Sequence, residues 1–322
     1  MKVEVTQFLA LLICCCSIAG CTQNSKPEQY EGIEILEFDG EIRFSALAWS
    51  PDGQMLAAKY QIDPLGGASA AIIDITSGTF QTILPEQVDY YIAPEWSPDS
   101  KSLIVTTYVA RPTEDTPFNI FVIDAQNGQT IQGVWYGSIA TWSNEPDKVI
   151  LIDSAVGHLD EQVSILEIDL ESGEYRQFAQ TEAAEAQISD SFDVSVDGYL
   201  AVMNQEGLEI YDVISGQLVG NVNKWVRTVN WSPDGEMFVF TYDPKETGKS
   251  IYHDHIYLST PDGACLSDPL DLRSRIWTID WSPDGEQLVF ATFEPGKIYF
   301  IDLTKGPGKE LIDSFTANCP PA

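Results

Sequence analysis

The sequence predicts an all-β protein, a ring of six four-stranded antiparallel blades, and three observations support this prediction. One motif, W-S-P-D-G in its full form, recurs along the chain, and a second motif recurs between its copies. Short apolar runs of mainly alternating polarity lie between the motifs, as is typical of strands. After the N-terminal segment no long helical pattern competes with these runs.

The first motif recurs at nearly constant intervals. The distances between successive first residues are 47, 46, 52, 37 and 50 residues. The copies begin at Trp49, Trp96, Trp142, Val194, Trp231 and Trp281, and the third and fourth are degraded. A period of about 40 to 50 residues is the length of one four-stranded propeller blade. Six copies therefore predict a six-bladed β-propeller.

The second motif is independent of the first and gives the same count. A glycine follows at a fixed offset of four residues after Asp74, Asp124, Asp169, Asp212, Ser259 and Asp302. Each unit thus holds one motif of each kind in the same order. The chain from about residue 33 onward therefore reads as six equivalent units.

Turn chemistry explains both motifs. Proline presets one turn dihedral, Asp and Ser bond the amides of the turn, and glycine accepts a positive φ. W-S-P-D-G is predicted to join the first two strands of a blade, with its tryptophan at the junction of neighbouring blades. D-x-x-x-G is predicted to join the third and fourth strands. Both turns then lie on one face of the disc, the turn face, and the other connections lie on the opposite loop face.

The repeats resemble the Tol-B-like, or WD40-like (PD40), β-propeller repeat. The likeness covers roughly residues 40–315, and the ten-residue copies at Trp231 and Trp281 differ at only two positions. The resemblance implies the fold and no particular chemistry. Tol-B proteins carry an α/β domain before the propeller, and the short stretch after Cys21 is too small for such a domain.

The N-terminus predicts a bacterial lipoprotein signal peptide. An apolar run from Phe8 to Ala19 is too short to span a bilayer and fits the core of a signal peptide. The small residues before Cys21 resemble a lipobox, which implies that Cys21 is acylated. An ordinary signal peptide, or a core segment that ends in cysteine, is the alternative. We expect a signal peptide over 1–20, a tether over 21–32, a propeller over 33–316 and a tail over 317–322.

The net charge limits which classes of partner the protein can bind, and the cysteine content limits which disulfide it can form. The chain has 49 acidic and 17 basic residues and a formal net charge of −32. This charge repels phosphate backbones, so nucleic acid is excluded, and the membrane is reached only through the lipid anchor. After removal of the signal peptide Cys265 and Cys319 remain, and in an exported protein they are a possible disulfide. Two free thiols are the alternative.

No catalytic or cofactor motif is found. A propeller peptidase needs a hydrolase domain with a G-x-S-x-G elbow, which the sequence does not contain. His253 and His255 are two apart on a predicted strand and could donate two nitrogens to a metal, with His158 as a distant third. The favoured interpretation is a polar loop that enters a strand, because no other ligand can be placed beside them. The aspartates lie in turns and form no calcium loop. We therefore predict no metal and no cofactor.

The loop face is the predicted binding face. It collects the long irregular loops, and variable loops on a rigid scaffold are where recognition usually lies. Its blade connections carry Tyr91, Trp135, Tyr136, Trp225, Arg227, Arg273, Arg275 and Trp277, with Tyr90, Arg43 and Lys224 nearby. Aromatic residues and arginine are enriched in binding hot spots. The alternative is that the aromatics pack between inner strands and the arginines pair with neighbouring acids.

These observations predict a monomeric binding module in the cell envelope, lipid-anchored to the cell membrane or outer membrane. Its partner is an unknown protein or a small ligand. A propeller enzyme acting on a carbohydrate or lactone at the channel mouth is the alternative, and it requires acids or histidines that converge on the axis. The segments near Ile33 and Lys309 compete to close the ring as its outermost strand.

Overall fold

A computed structural model of the chain confirms the six-bladed β-propeller of four-stranded antiparallel blades. The described residues are 4–5, 30–62, 67–84, 91–107, 120–135, 139–143, 145–153, 162–182, 192–203, 207–224, 226–242 and 253–320. Within each sheet the strands follow chain order from the innermost strand outward. This is the order that repeated hairpins produce.

The strands group into blades as follows. Blade 1 contains β3 (Arg43–Trp49), β4 (Met55–Gln61), β5 (Ser69–Asp74) and β6 (Phe80–Leu84). Blade 2 contains β7 (Tyr91–Trp96), β8 (Ser102–Thr107), β9 (Ile120–Asp124) and β10 (Thr130–Trp135). Blade 3 contains β11 (Ile139–Trp142), β12 (Lys148–Asp153), β13 (Gln162–Asp169) and β14 (Tyr175–Glu182). Blade 4 contains β15 (Phe192–Val194), β16 (Tyr199–Met203), β17 (Leu208–Asp212) and β18 (Leu218–Val222). Blade 5 contains β19 (Val226–Trp231), β20 (Phe238–Tyr242), β21 (His255–Ser259) and β22 (Leu270–Asp271). Blade 6 contains β23 (Ile276–Trp281), β24 (Gln287–Thr292), β25 (Lys297–Asp302) and, from the other end of the chain, β2 (Ile33–Glu37).

The W-S-P-D-G segments form the predicted hairpins. In blade 6 the Ser282 hydroxyl donates to Asp284 Oδ1 at 2.6 Å and accepts the Gln287 N–H at 2.9 Å. Gly285 has φ +72° and donates its N–H to the Ser282 carbonyl. In blade 2 Ser100 takes the glycine position and adopts φ +60°, a conformation that costs a non-glycine residue some strain. The serine and aspartate therefore satisfy the turn amides that the tight reversal frees.

Strand β2 closes the ring. It pairs antiparallel with β25, from Ile33 with Ile301 to Glu37 with Lys297. The two-residue strand β1 (Glu4–Val5) pairs at the outer edge of β2. Of the two segments that we expected to compete for this position, the one near Lys309 is not a strand. It forms a helix, where the sequence showed no long helical pattern.

The segment near Lys309 forms helix α1 (Gly306–Asn318), which crosses the position where we expected the propeller to end. Pro307 lies in its first turn, where proline is tolerated, and Leu311 and Phe315 are buried one helical turn apart. The buried residues are spaced by four positions, as in a helix, rather than by two, as in a strand. Among the described residues no helix is long and apolar enough to cross a membrane.

The hydrophobic core is divided among the blade junctions. In the described part of the chain six clusters of buried residues each join two neighbouring blades. The motif tryptophans lie at these junctions, as predicted. Trp281, for example, packs with Val239 and Leu258 of blade 5 and is only 5% exposed. Each sheet is therefore buried on both faces by its neighbours.

A disulfide fastens α1 to the propeller. Cys265, in the turn after β21, is bonded to Cys319 at the end of the helix, with a Cα–Cα distance of 5.8 Å. The helix also packs Leu311 and Phe315 against the junction of blades 5 and 6. The C-terminus is thus held beside the closing strand.

Candidate functional site

The innermost strand of each blade runs from the loop face to the turn face. In β19 and β23 four of six residues are buried, and the second and fifth are half-buried. These half-buried positions are Arg227 and Asn230 in blade 5, and Trp277 and Asp280 in blade 6. Because these strands surround the axis, such positions line the central channel at its loop end and its turn end respectively.

Strand register indicates which cations of three neighbouring blades lie near the loop end of the channel. The Trp49 N–H donates to Asp280 Oδ2 at 2.7 Å, which aligns β3 with β23. The Trp281 Nε1–H donates to the Asn230 carbonyl at 3.2 Å, which aligns β19 with β23. Counting back along the aligned strands places Arg43 of blade 1 and Lys224 of blade 5 on either side of Ser274, next to Arg275.

Arg275 lies against two aromatic rings of its own blade. Its guanidinium carbon is 4.4 Å from the centre of the Phe293 ring, and the Trp277 ring stacks on Phe293 at 4.0 Å. The Arg275 Nε atom is buried and has no hydrogen-bond partner, while Phe293 is 39% exposed. We call the set Arg43, Lys224, Arg275, Trp277 and Phe293 the loop-face cluster.

Arg227 is not included in the loop-face cluster, because it forms an ion pair within the protein. Its Nε donates to Asp254 Oδ1 at 3.3 Å, and Asp254 is fully buried. The other oxygen of Asp254 accepts the Ile276 N–H at 2.7 Å. The pair therefore joins blade 5 to the start of the innermost strand of blade 6. This is the structural role that we considered as an alternative for the arginines.

Arg273 lies in the connection before β23 with φ +53°, and its N–H donates to Asp271 Oδ1 at 2.7 Å. Lys224 lies over two tyrosine rings, with its Nζ atom 5.0 Å from the centre of Tyr242 and 5.5 Å from that of Tyr257. Burial, followed by the neighbouring Tyr242, raises the pKa of Tyr257. The tyrosines form the blade 5 side of the loop end.

The two neighbouring histidines face one carboxylate. His253 Nδ1 and His255 Nε2 each lie 3.8 Å from an oxygen of Asp271. Within the described part of the chain no group of three His, Cys, Asp or Glu side chains has an arrangement that could hold a metal ion. The aspartate between the histidines, Asp254, has the structural role given above.

Several predicted residues fall outside this description. Tyr90, Tyr136, His158, Trp225 and Cys21 lie outside the described residues, as do most of the long loops. Tyr91 begins β7 and Trp135 ends β10, but nothing is described of their side chains. Of the predicted binding face, the structure brings Arg275 and Trp277 against one ring, and strand register puts Arg43 and Lys224 at the same end of the channel.

A second set of side chains lines the turn end of the channel. It occupies the position directly before the first residue of each W-S-P-D-G motif, and we call it the channel ring. Its members are Ala48, Glu95, Thr141, Asp193, Asn230 and Asp280. Its three carboxyl groups come from blades 2, 4 and 6. Besides burial, the charges of Asp193 and Asp280 raise the pKa of Glu95, and that of Asp193 raises the pKa of Asp280.

The channel ring joins neighbouring blades through hydrogen bonds. Asp193 Oδ2 accepts the Trp231 N–H at 2.7 Å, and Asp280 accepts the Trp49 N–H across the closure of the ring. The Thr141 hydroxyl donates to Glu95. The tryptophan Nε1 atoms add bonds to main-chain carbonyls of the preceding blade, as from Trp231 to Asp193 at 3.2 Å.

The pKa values of the acidic residues in the channel ring are raised because their carboxyl groups are enclosed by the protein. Each acidic residue is half-buried as a whole, but its carboxyl group is surrounded by converging strands. Desolvation raises the pKa of Asp193 to about 6 and that of Asp280 to about 7. It also raises the pKa of Glu95 well above its usual range, with the charge of Asp193 as the next cause. These carboxyl groups at the channel axis can therefore bind protons near neutral pH.

Sequence reasoning missed the channel ring and Phe293. The signal for the ring was present, since the residue before each motif is polar in five of six copies. It was hidden because those residues differ in type from blade to blade. Phe293 follows β24 without a motif, and only the tertiary structure brings it against Arg275 and Trp277.

Comparisons with known proteins agree with the fold. No family model matches the chain, and no curated protein sequence matches it. A chain of the structure titled "Crystal Structure of Mitotic Checkpoint Complex" is similar with TM-score 0.54 and 15% identity, covering 92% of this chain and 98% of that one. A chain of "Kuenenia stuttgartiensis Hydrazine Synthase" is similar with TM-score 0.52 and 16% identity, covering 83% and 97%. At such identities the likeness concerns the fold alone, and the protein is a six-bladed β-propeller with WD40-like structural neighbours.

Proposed function

We propose that this protein is a lipid-anchored, extracytoplasmic binding module of the bacterial cell envelope, with repeats of the Tol-B-like kind. The observation that carries the proposal is the loop-face cluster. It combines an exposed phenylalanine ring and a tryptophan with arginine and lysine side chains, and tryptophan and arginine are enriched in the hot spots of protein interfaces. A six-bladed propeller holds such residues on rigid strands.

The path of the chain supports an orientation with the loop face turned outward. Strand β2 runs from the turn face to the loop face, because its first residue, Ile33, pairs with Ile301 beside the turn that follows β25. The tether therefore joins the body on the turn face. Cys21 is nine residues before Tyr30, a reach of at most about 30 Å. An acyl anchor there leaves the loop-face cluster accessible to a partner.

Acylation and capture test the two halves of the proposal. Labelled palmitate should enter the full chain expressed in a bacterial host, and Cys21→Ala should abolish the label. The full chain, solubilised in detergent and immobilised, should retain an envelope component that is identified by mass spectrometry. Phe293→Ala and Arg275→Gln should each reduce its retention by about tenfold or more.

The matched control is a pair of changes on the turn face. Tyr175→Ala removes another exposed ring, and Lys101→Gln removes another exposed cation. Neither should alter retention. Equal loss from the two pairs, or no label at Cys21, would contradict the proposal.

The second candidate is an enzyme acting on a carbohydrate or lactone, and the observation that favours it is the channel ring. Paired carboxyl groups with raised pKa values can serve as general acid and base. If this candidate is correct, the full chain should hydrolyse aryl glycosides or lactones, and Asp280→Asn should abolish the hydrolysis. Activity unchanged in both Asp280→Asn and Asp193→Asn would remove it.

A further inference from the structure

We propose that the loop-face cluster binds an acidic segment of a protein partner, with the carboxylates of that segment placed among Arg43, Lys224, Arg275 and the exposed edge of Phe293. This inference rests on the proposed binding function and specifies the chemistry of the partner. Three observations support it. The cations have no carboxylate partner among the described residues, they lie at the same end of the channel, and both faces of the Phe293 ring are covered.

In the described part of the chain, the three cations lack the carboxylate partners that other basic residues have. Arg227 is paired with Asp254, and Lys297 with Glu294 at 3.3 Å. In contrast, no carboxylate among the described residues lies within salt-bridge distance of Arg43, Lys224 or Arg275. The chain has 49 acidic residues and 17 basic ones, so three cations without a described carboxylate partner at the loop end are unusual. Binding of an acidic partner would explain them.

Strand register places these cations at the same end of the channel. Counting back from the bonds that align the inner strands puts Arg43 and Lys224 at the level of Ser274, so three consecutive blades each carry one cation near the loop end. Arg275 Nε is moreover a buried donor without an acceptor. An unsatisfied buried donor destabilises the protein, and a carboxylate that accepts from this guanidinium would remove that cost once the side chain turns toward it.

The aromatic ring of the cluster offers its edge rather than its face. Two groups cannot both lie within 4.4 Å of a ring centre on the same side, so Arg275 and Trp277 cover the two faces of Phe293. The exposed 39% of Phe293 is then mostly ring edge. The edge of an aromatic ring carries positive partial charge, which suits a carboxylate oxygen. An acidic saccharide would need a free face on which to stack, so a peptide fits better.

The test uses peptide probes on the full chain in detergent. The probe is a fluorescein-labelled peptide, Gly-Glu-Glu-Leu-Glu-Glu-Leu-Glu-Gly, and its counterpart has lysine in place of every glutamate. Polarisation should show tight binding of the glutamate peptide at physiological ionic strength, where repulsion by the rest of the chain is screened beyond about 8 Å. The combined variant Arg43→Gln, Lys224→Gln, Arg275→Gln should weaken this binding at least about tenfold.

The control variant removes three cations from the turn side, namely Lys101→Gln, Lys148→Gln and Lys309→Gln. It changes the net charge equally and should leave binding within about twofold. Thermal unfolding of both variants checks that each is folded. The inference is overturned if the glutamate peptide does not bind, if the lysine peptide binds more tightly, if both variants lose binding equally, or if hexagalacturonate binds where the peptide does not.

Failure of this inference is distinguishable from failure of the proposed function. If an envelope component is captured, and the glutamate peptide does not displace it, the binding module stands and the acidic segment is wrong. If the peptide binds through the three cations but nothing is captured, the charge chemistry stands and the proposed envelope function is wrong.

Discussion

The two ends of each innermost strand differ in what constrains them. At the turn end of β23, Asp280 and Trp281 both bond to neighbouring blades, and equivalent bonds recur around the propeller. At the loop end, Arg275 and Trp277 contact Phe293 of their own blade, and the other blades carry different residues there. Ring closure therefore constrains the residues at the turn end of the channel, whereas the residues at the loop end can differ from blade to blade.

The largest expected effect comes from the same truncation made at the two ends. Trp281→Ala should lower the free energy of unfolding by about 3–5 kcal/mol, because it empties a buried junction and removes the bond to Asn230. Trp277→Ala should cost only about 1 kcal/mol, since Trp277 is half-buried and stacks on an exposed ring. Urea unfolding of both variants measures the difference. Similar costs would mean that both ends are structural.

The next effect concerns the disulfide on the turn side. Cys265→Ala with Cys319→Ala should lower the free energy of unfolding by about 2–4 kcal/mol, because the bond closes a chain segment of 54 residues and fixes α1 beside the closing strand. Peptide binding at the loop-face cluster should be unchanged in the folded variant. Loss of binding before unfolding would show that the two ends are coupled.

The third effect is a pH dependence from the channel ring. With a raised pKa of about 7, Asp280 holds a proton in the folded chain at pH values where the unfolded chain has released it. The free energy of unfolding therefore falls as pH rises from about 4 to about 7 and is level above that range. Asp193, with a pKa of about 6, contributes in the same direction.

Asp280→Asn keeps an acceptor for the Trp49 N–H and removes the buried charge. Near pH 8 it should be more stable than the unchanged chain by on the order of 2 kcal/mol, and near pH 4 the difference should vanish. Thermal unfolding across this range measures it, with Glu286→Gln in an exposed turn as the control. A stabilisation that does not depend on pH would show that the carboxyl charge is not its cause.

The smallest effect separates two tryptophans of the same motif. Trp281→Phe loses the bond from Nε1 to Asn230 and should cost about 1 kcal/mol more than Trp49→Phe, because Trp49 Nε1 is buried without a hydrogen-bond partner. Chemical unfolding of both variants gives the comparison. Equal costs would assign the role of the motif tryptophan to packing alone.

Much of the fold was predictable, because its signals are local and repeated. The hairpin at Ser282 and Asp284 follows from turn chemistry, and the strand near Ile33 follows from its alternating apolar residues. The helix near Lys309 was missed, because an apolar spacing of four within a short segment was read as a strand. The candidate site was predictable only in part, since Phe293 and the carboxyl of Asp254 acquire their roles from residues distant in sequence.

The number of blades, the two kinds of hairpin and the face on which each lies follow from local sequence, because every turn depends on a few adjacent residues. Which residues meet at the axis depends on how the blades pack. Glu95, Asp193 and Asp280 come from alternate blades, and the Trp49 N–H reaches Asp280 only where the last blade joins the first. Such contacts depend on ring closure, which brings the ends of the chain together and which no local pattern records.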